Sequence, residues 1–179
     1  MAVDMFLKIE GIDGESNNKD HVGWIEVLSW SWGESLPAAR IVVGAGAPPA
    51  GKVSMSSFTF MKRLDKATPQ LLQACMMGKV FPKVEFHVVR SFAGVDGQTT
   101  EMVVDFLKLT NSLVSSVRMS DAQGAIQAPG EGNPNSLPLE LCSLNFTKIS
   151  WTYQQTDTLG GAVGSPLKAG WDLKLNKKI

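Results

Sequence analysis

Cysteine, histidine and tyrosine are scarce in this chain, at two, two and one of 179 residues. Cys75 and Cys142 have neither metal-ligand spacing nor a redox-pair motif, and such sparse usage suits a reducing compartment, with both expected to be small buried hydrophobes. His21 and His87 lie far apart in sequence with no Cys or carboxylate cluster at ligand spacing, so each reads as a satisfied surface histidine and no metal site is assigned. Neither sign of charge is in excess: Lys+Arg and Asp+Glu number 17 each, the formal net charge is zero and the pI is near 6.7. That balance lacks the basic footprint of a nucleic-acid binder and leaves self-association unopposed. No apolar run approaches the roughly 18 residues a membrane helix needs, so no membrane insertion is expected. Asp4, Lys8 and Glu10 interrupt the first ten residues, which reads as a protein made and folded in the cytosol that would leave a cell only by a route needing no cleaved leader.

The strings that carry enzyme chemistry are also missing. Residues 46–52 match most of a phosphate-binding loop, but Pro48 and Pro49 remove backbone donors that would have to cradle phosphate. Val53 stands where a magnesium-binding hydroxyl is needed, and a strand follows where a helix should begin. No G-x-S-x-G occurs, Glu15 and Ser16 sit in a turn without a candidate base, and nothing singles out a pair of carboxylates. No catalytic residue and no cofactor is assigned.

What the chain does have is a heavy aromatic stretch around which the rest can be organised. In residues 25–33, a side-chain period of two puts Leu28, Trp30 and Trp32 in one row, while Ser29, Ser31 and Gly33 leave the opposite face small and smooth. The apolar row predicts a core; the small-residue row is either the solvated back of an ordinary half-buried strand or a face cleared for something else. Upstream, Met5, Leu7 and Ile9 predict a first strand ending in a turn-rich segment at 11–18. Residues 33–52 are Gly, Ala and Pro around Ile41-Val42-Val43, which is neither a polar linker nor a strand. Val53 to Phe60 changes parity once, as a bulged strand would. Thr68-Pro69 reads as N-cap and first turn of the one convincing helix, with Leu71, Leu72, Cys75 and Met76 as its stripe and Gly78 as its stop.

Further on, Val84, Phe86 and Val88 alternate before a turn at 94–97. A run over 99–109 completes a central hairpin, and Leu113, Val117 and Met119 continue it. Residues 121–136 read as a loop. From 137 to 153 the apolar parity changes twice, through Leu137, Leu139 and Leu141, then Leu144 and Phe146, then Ile149, Trp151 and Tyr153, predicting a long bent strand or two bulged ones. Residues 158–170 read as a small-residue loop, and Trp171, Leu173 and Leu175 as a short closing strand. The expectation is an all-β fold in a single domain over 1–179: a rolled β-barrel of about eight strands with one flanking α-helix.

Met5-Phe6-Leu7-Lys8-Ile9, Gly14-Glu15-Ser16, His21, the 27–33 strand, the helix start Asp65-Lys66-Ala67-Thr68-Pro69 and the closing Gly170-Trp171-Asp172 together resemble the Hcp family, the haemolysin-coregulated proteins of bacterial type VI secretion. The resemblance runs along nearly the whole chain. It implies a non-enzymatic tube protein: hexameric rings that stack into the inner tube of a contractile injector and are secreted with it. It also implies small effector proteins carried in the ring, and a spike protein and sheath or baseplate components as partners. On that reading Ser29 and Ser31 are expected to face the ring lumen, and Ile41, Val42 and Val43 to belong to an arm by which one subunit or ring holds the next. The alternative is a small-ligand-binding β-barrel with a binding or hydrolase site that the motifs do not reveal.

Overall fold

The computed structural model describes residues 3–36, 52–93, 99–120 and 138–179. Among these, the strands are β1 (Val3–Ile9), β2 (Ile25–Glu26), β3 (Ser29–Ser31), β4 (Glu34–Ser35), β5 (Ser54–Met55), β6 (Phe58–Arg63), β7 (Val80–Ala93), β8 (Thr99–Ser120), β9 (Leu139–Asn145), β10 (Lys148–Thr156), β11 (Ala162–Asp172) and β12 (Lys177–Lys178). The helix α1 spans Thr68–Met77. Ile41, Val42 and Val43, the turn at 94–97 and the loop at 121–136 lie outside the described residues.

Pairing is antiparallel and runs β1–β7–β8–β9–β6. The aromatic stretch closes this row on itself. Ile25 and Glu26 pair with Leu7 and Phe6 of β1, and Val27 N–H donates to the Met5 carbonyl at 2.9 Å. The next residue turns the other way: Leu28 N–H donates to the Met61 carbonyl at 2.8 Å, and Ser29–Ser31 pair with Met61–Thr59 of β6. Handing its hydrogen bonds from β1 to β6 within two residues, this segment completes a hydrogen-bonded circuit, which removes the free edges an open sheet would present. It is therefore split into β2, β3 and β4 rather than being one strand.

β9 and β10 run one after the other along the same side of the 22-residue β8, bending near Phe146 and Thr147. β8 accommodates the bend with Asn111 at φ 48°, a left-handed conformation that asparagine tolerates, and with a register shift between Val114 and Ser116. Beyond the circuit, β10, β11 and β12 extend as a wing.

The interior is filled. Phe58, Phe60, Phe81, Phe86, Leu7, Ile25, Leu109, Leu144 and Ile149 are all essentially inaccessible to solvent. Each such side chain contributes roughly 1.5–3 kcal/mol relative to leaving it in water. α1 packs against β8 and closes one end, burying Thr68, Leu71 and Ala74. Pro69 in its first turn and Gly78, at φ 60°, mark its limits, as the sequence predicts.

Several expectations are corrected. The helix N-cap is Ala67, not Thr68, because the Thr68 hydroxyl is taken by Glu140 and Lys62; Met76 of the proposed stripe is exposed and Ala74 takes its place inside. Of the expected core row, Leu28 is exposed where the chain crosses from β1 to β6, Trp30 sits at the rim rather than in the core, and Trp32 is half-buried against it. In β9 the inward parity is Glu140, Cys142 and Leu144, and Leu141 faces out, so the parity does not change within that strand. Residues 162–170 form most of β11 rather than a loop; exposed on both sides through Lys168, they carry little of the alternation that reveals a half-buried strand. The chain at Leu173–Leu175 is a turn, held by the Asp172 carboxylate accepting from the Lys174 and Leu175 N–H groups, each at 2.9 Å.

Candidate functional site

Residues paired across antiparallel strands share a face, so the β3–β6–β9–β8 register sorts this part of the wall into two sides. On the outer side, Ser31 lies opposite Thr59, Thr59 opposite Ser143 and Ser143 opposite Ser116; one step along, Ser29, Met61, Leu141 and Arg118 form the next row. The Thr59 and Ser143 hydroxyls are 3.3 Å apart, and the Ser115 hydroxyl donates to the Ser143 carbonyl at 3.1 Å. Ser29 and Ser31 are exposed. This surface is hydroxyl-rich and uncharged in its middle, with Arg63 and Arg118 towards one end, and its small side chains keep it low.

On the inner side of the same strands, Trp30 lies opposite Phe60 and Phe60 opposite Cys142. Trp30 is 36% exposed at the rim yet lies 5.3 Å from Phe86 and 6.0 Å from Phe58, centroid to centroid. Trp32 is half-buried against Trp151 at 5.6 Å. Burial pushes the Cys142 thiol up to about 12, helped by the nearby Glu140 charge, so it is chemically quiet.

One step further in, the inner side turns ionic. Lys62 and Glu140, directly paired across β6 and β9, are fully buried and joined by a 2.6 Å ion pair. The ammonium also donates to Asp65 Oδ1 at 2.7 Å, the Arg63 carbonyl at 3.0 Å and Thr68 Oγ1 at 3.1 Å, while Thr68 donates to Glu140 Oε2 at 2.8 Å. Asp65 Oδ1 further accepts from Ala67 N–H at 2.9 Å, which fixes the chain leading into α1. Charges removed from water this completely persist only when paired, and here they fasten the helix start to the barrel end.

His21 and His87 are not surface histidines. The fold brings them together across 66 positions, with His21 Nε2 and His87 Nδ1 2.9 Å apart, His21 buried and His87 half-buried. No sequence spacing could have signalled this contact. Among the described residues no cluster of three or more His, Cys, Asp or Glu could hold a metal ion, and no helix is long and apolar enough to cross a membrane. A groove of about 690 Å³ lies between β4, β5 and the wing, lined by Leu36, Val53, Met55, Trp151 and Trp171. It is open to the outside. The barrel interior is packed by phenylalanines, Phe58, Phe60, Phe81 and Phe86 among them.

Comparison with known proteins agrees with this architecture. A family model described as the type VI secretion system effector Hcp matches residues 6–153. The protein hcp1 of Pseudomonas aeruginosa is 36% identical over 176 residues, covering 98% of both chains. Among solved structures, a type six secretion system protein superposes with a TM-score of 0.82 at 30% identity, covering 99% of this chain and all of the other. Hcp1 from Salmonella typhimurium gives a TM-score of 0.73 at 28% identity over the full length of both.

Proposed function

The chain belongs to the Hcp family of type VI secretion proteins, and from that premise we propose that it is the repeating subunit of the secretion tube. Six copies form a ring, rings stack into the inner tube, and the tube is secreted with the spike protein at its tip and sheath and baseplate components around it. The chain waits in the bacterial cytoplasm and is exported by the type VI route. Small effector proteins ride in the ring bore. The number six rests on the family, not on the geometry.

The observation that carries this reading is the outer face of β3, β6 and β9. Ser29, Ser31, Thr59 and Ser143 make a low, uncharged wall over a complete hydrophobic core. Such a surface binds weakly and releases, as a conduit lining must, and its hydroxyls can meet varied cargo by adaptable hydrogen bonds. Ile41, Val42 and Val43 keep their place in the proposal as the contact from one ring to the next. A closed barrel has no edge strands in its circuit to pair with, so copies associate through faces and loops, and a head-to-tail contact closes into a ring when the rotation permits. Negative-stain microscopy and native mass measurement of the purified protein test the reading. Uniform six-fold rings are expected; monomers at micromolar concentration would overturn it.

A further inference from the structure

The segment between β1 and β2, residues 10–24, folds back over the outer side of the barrel as a small strap. It is tied to itself by Gly14 N–H to the Gly23 carbonyl, Gly23 N–H to the Ser16 carbonyl, both 2.8 Å, and Ser16 N–H to the Trp24 carbonyl, 3.1 Å. Beneath it, Phe6, His87 and Phe106 are register partners across β1, β7 and β8. The His21 ring descends onto this row, stacked on Phe6 at 4.4 Å and 11° and edge-on to Trp24 and His87.

The hydrogen bonds specify how protons are placed. Asn18 Nδ2 donates to Glu101 Oε2 at 2.8 Å, so Asn18 Oδ1 is turned to accept from His21 Nδ1 at 3.1 Å. A neutral His21 then has only Nε2 left as an acceptor, and His87 Nδ1 must be the donor in the 2.9 Å contact between the rings. His87 Nε2 is left as a lone pair, buried and without a hydrogen-bond partner among the described residues. A third proton has no good position in this pair. Whether it goes to His87 or to His21 Nε2, it leaves an N–H at His87 Nε2 with no acceptor among the described residues; with both rings cationic, two charges share a hydrogen-bond distance among aromatic rings.

We infer that the 10–24 strap is a proton-released latch, closed while His21 and His87 are neutral and hydrogen-bonded to each other and opened when they take up protons. Charged groups approach from every side. Asp20 on the strap and Glu101 on β8 favour the His21 cation, Glu85 on β7 favours that of His87, and Lys83 on β7 opposes it. Lys8 on β1 lies over the Trp24 ring at 5.6 Å. Burial outweighs the carboxylates. It lowers His21, and together with the neighbouring His21 it lowers His87 from 6.5 to about 4. Both bases are depressed in the closed state, so strap closure is fully favoured above pH 6.5, weakens as pH falls from 6.5 towards about 4, and levels off below that. The strap is also joined to the helix start, where Lys66 N–H donates to Glu15 Oε1 at 3.0 Å, so its release would loosen that corner as well.

The latch does not depend on ring assembly and is tested on the full-length protein by imidazole NMR titration with amide exchange. Both histidines are expected to titrate below 6.5, His87 near 4. The Ser16 and Gly23 amides, corrected for intrinsic exchange, are expected to lose protection by roughly tenfold to a hundredfold between pH 6.5 and 4, since each pKa unit of depression is worth a factor of ten. Leu109 and Leu144 amides in the core are expected to keep theirs. His87→Phe should preserve the aromatic packing and flatten the pH response of the strap. Either imidazole titrating at or above 6.5 would overturn the latch. So would strap protection unchanged with pH, or strap and core losing protection together, and these wild-type readings decide the matter even if the variant does not fold.

Discussion

The two sides of the sheet made by β3, β6 and β9 are alternate residues of the same three strands, and they are built on opposite rules. The inner side carries Trp30, Phe60, Cys142 and, at the helix end, the Lys62–Glu140 pair; all but the rim tryptophan are buried and every one is held by several neighbours. The outer side carries Ser29, Ser31, Thr59, Met61 and Ser143, which are exposed or half-buried, with the Thr59 and Ser143 hydroxyls 3.3 Å apart. One side specifies the fold and the other is free to serve a partner. Substitutions along one strand should therefore alternate between large effects on stability and small ones, and the sharpest tests of that division lie at its extremes.

The largest effect is expected at Lys62. Lys62→Ala leaves buried Glu140 and half-buried Asp65 without their cation, and should cost about 3–5 kcal/mol in denaturant unfolding. Replacing the pair together, as Lys62→Met with Glu140→Leu, should cost less than either single change, because no charge is then stranded. Additive losses would show that the two do not act as one unit.

At the rim, Trp30→Ala removes an indole that packs on Phe58 and Phe86 but keeps about a third of its surface in water. The cost should sit near 3 kcal/mol, at the low end for an aromatic truncation. A loss below about 1 kcal/mol would move Trp30 to the outer side and break the division. Smaller again is Cys142→Ala, at about 1 kcal/mol for a small buried group. Cys142, whose thiol is pushed up to about 12, should resist alkylation in the native state at pH 8, while half-buried Cys75 reacts first; mass spectrometry of the labelled protein reads both.

How much of this was legible depended on whether apolar character and inward direction coincided. The Trp30/Ser31 alternation was readable because the strand period is fixed by the pleat, and α1 because Pro69 and Gly78 bracket it. The inward parity of β6 continues from Phe58 and Phe60 into Lys62, and that of β9 from Leu144 and Cys142 into Glu140. A reading keyed to hydrophobicity passes over both charges and takes Leu139 and Leu141 as the core instead. The His21–His87 contact was invisible for a different reason: it is made by a strap laid across the sheet, and nothing in local spacing announces it. The wing strand β11 escaped because it buries almost nothing until Gly170.

The smallest expected effect on stability, and the largest on function, is at Ser31. Its side chain is exposed, shares a face with Thr59 and makes no side-chain hydrogen bond among the described residues. A glutamine there has room to extend outward, so Ser31→Gln should change unfolding stability by less than about 0.5 kcal/mol, the usual range for an exposed position away from caps and pairs. In the assembled ring the proposal places that longer amide in the bore, where it narrows the passage and replaces a small hydroxyl with a group that must be desolvated when cargo lies against it. Co-purification of a bound effector should fall while ring formation, read by native mass, stays unchanged. Thr59→Ser, which trims a methyl from the neighbouring position, should leave both alone. Unfolding of the Ser31→Gln variant would place Ser31 on the inner side, and unchanged cargo retention in intact rings would take this face out of the lumen.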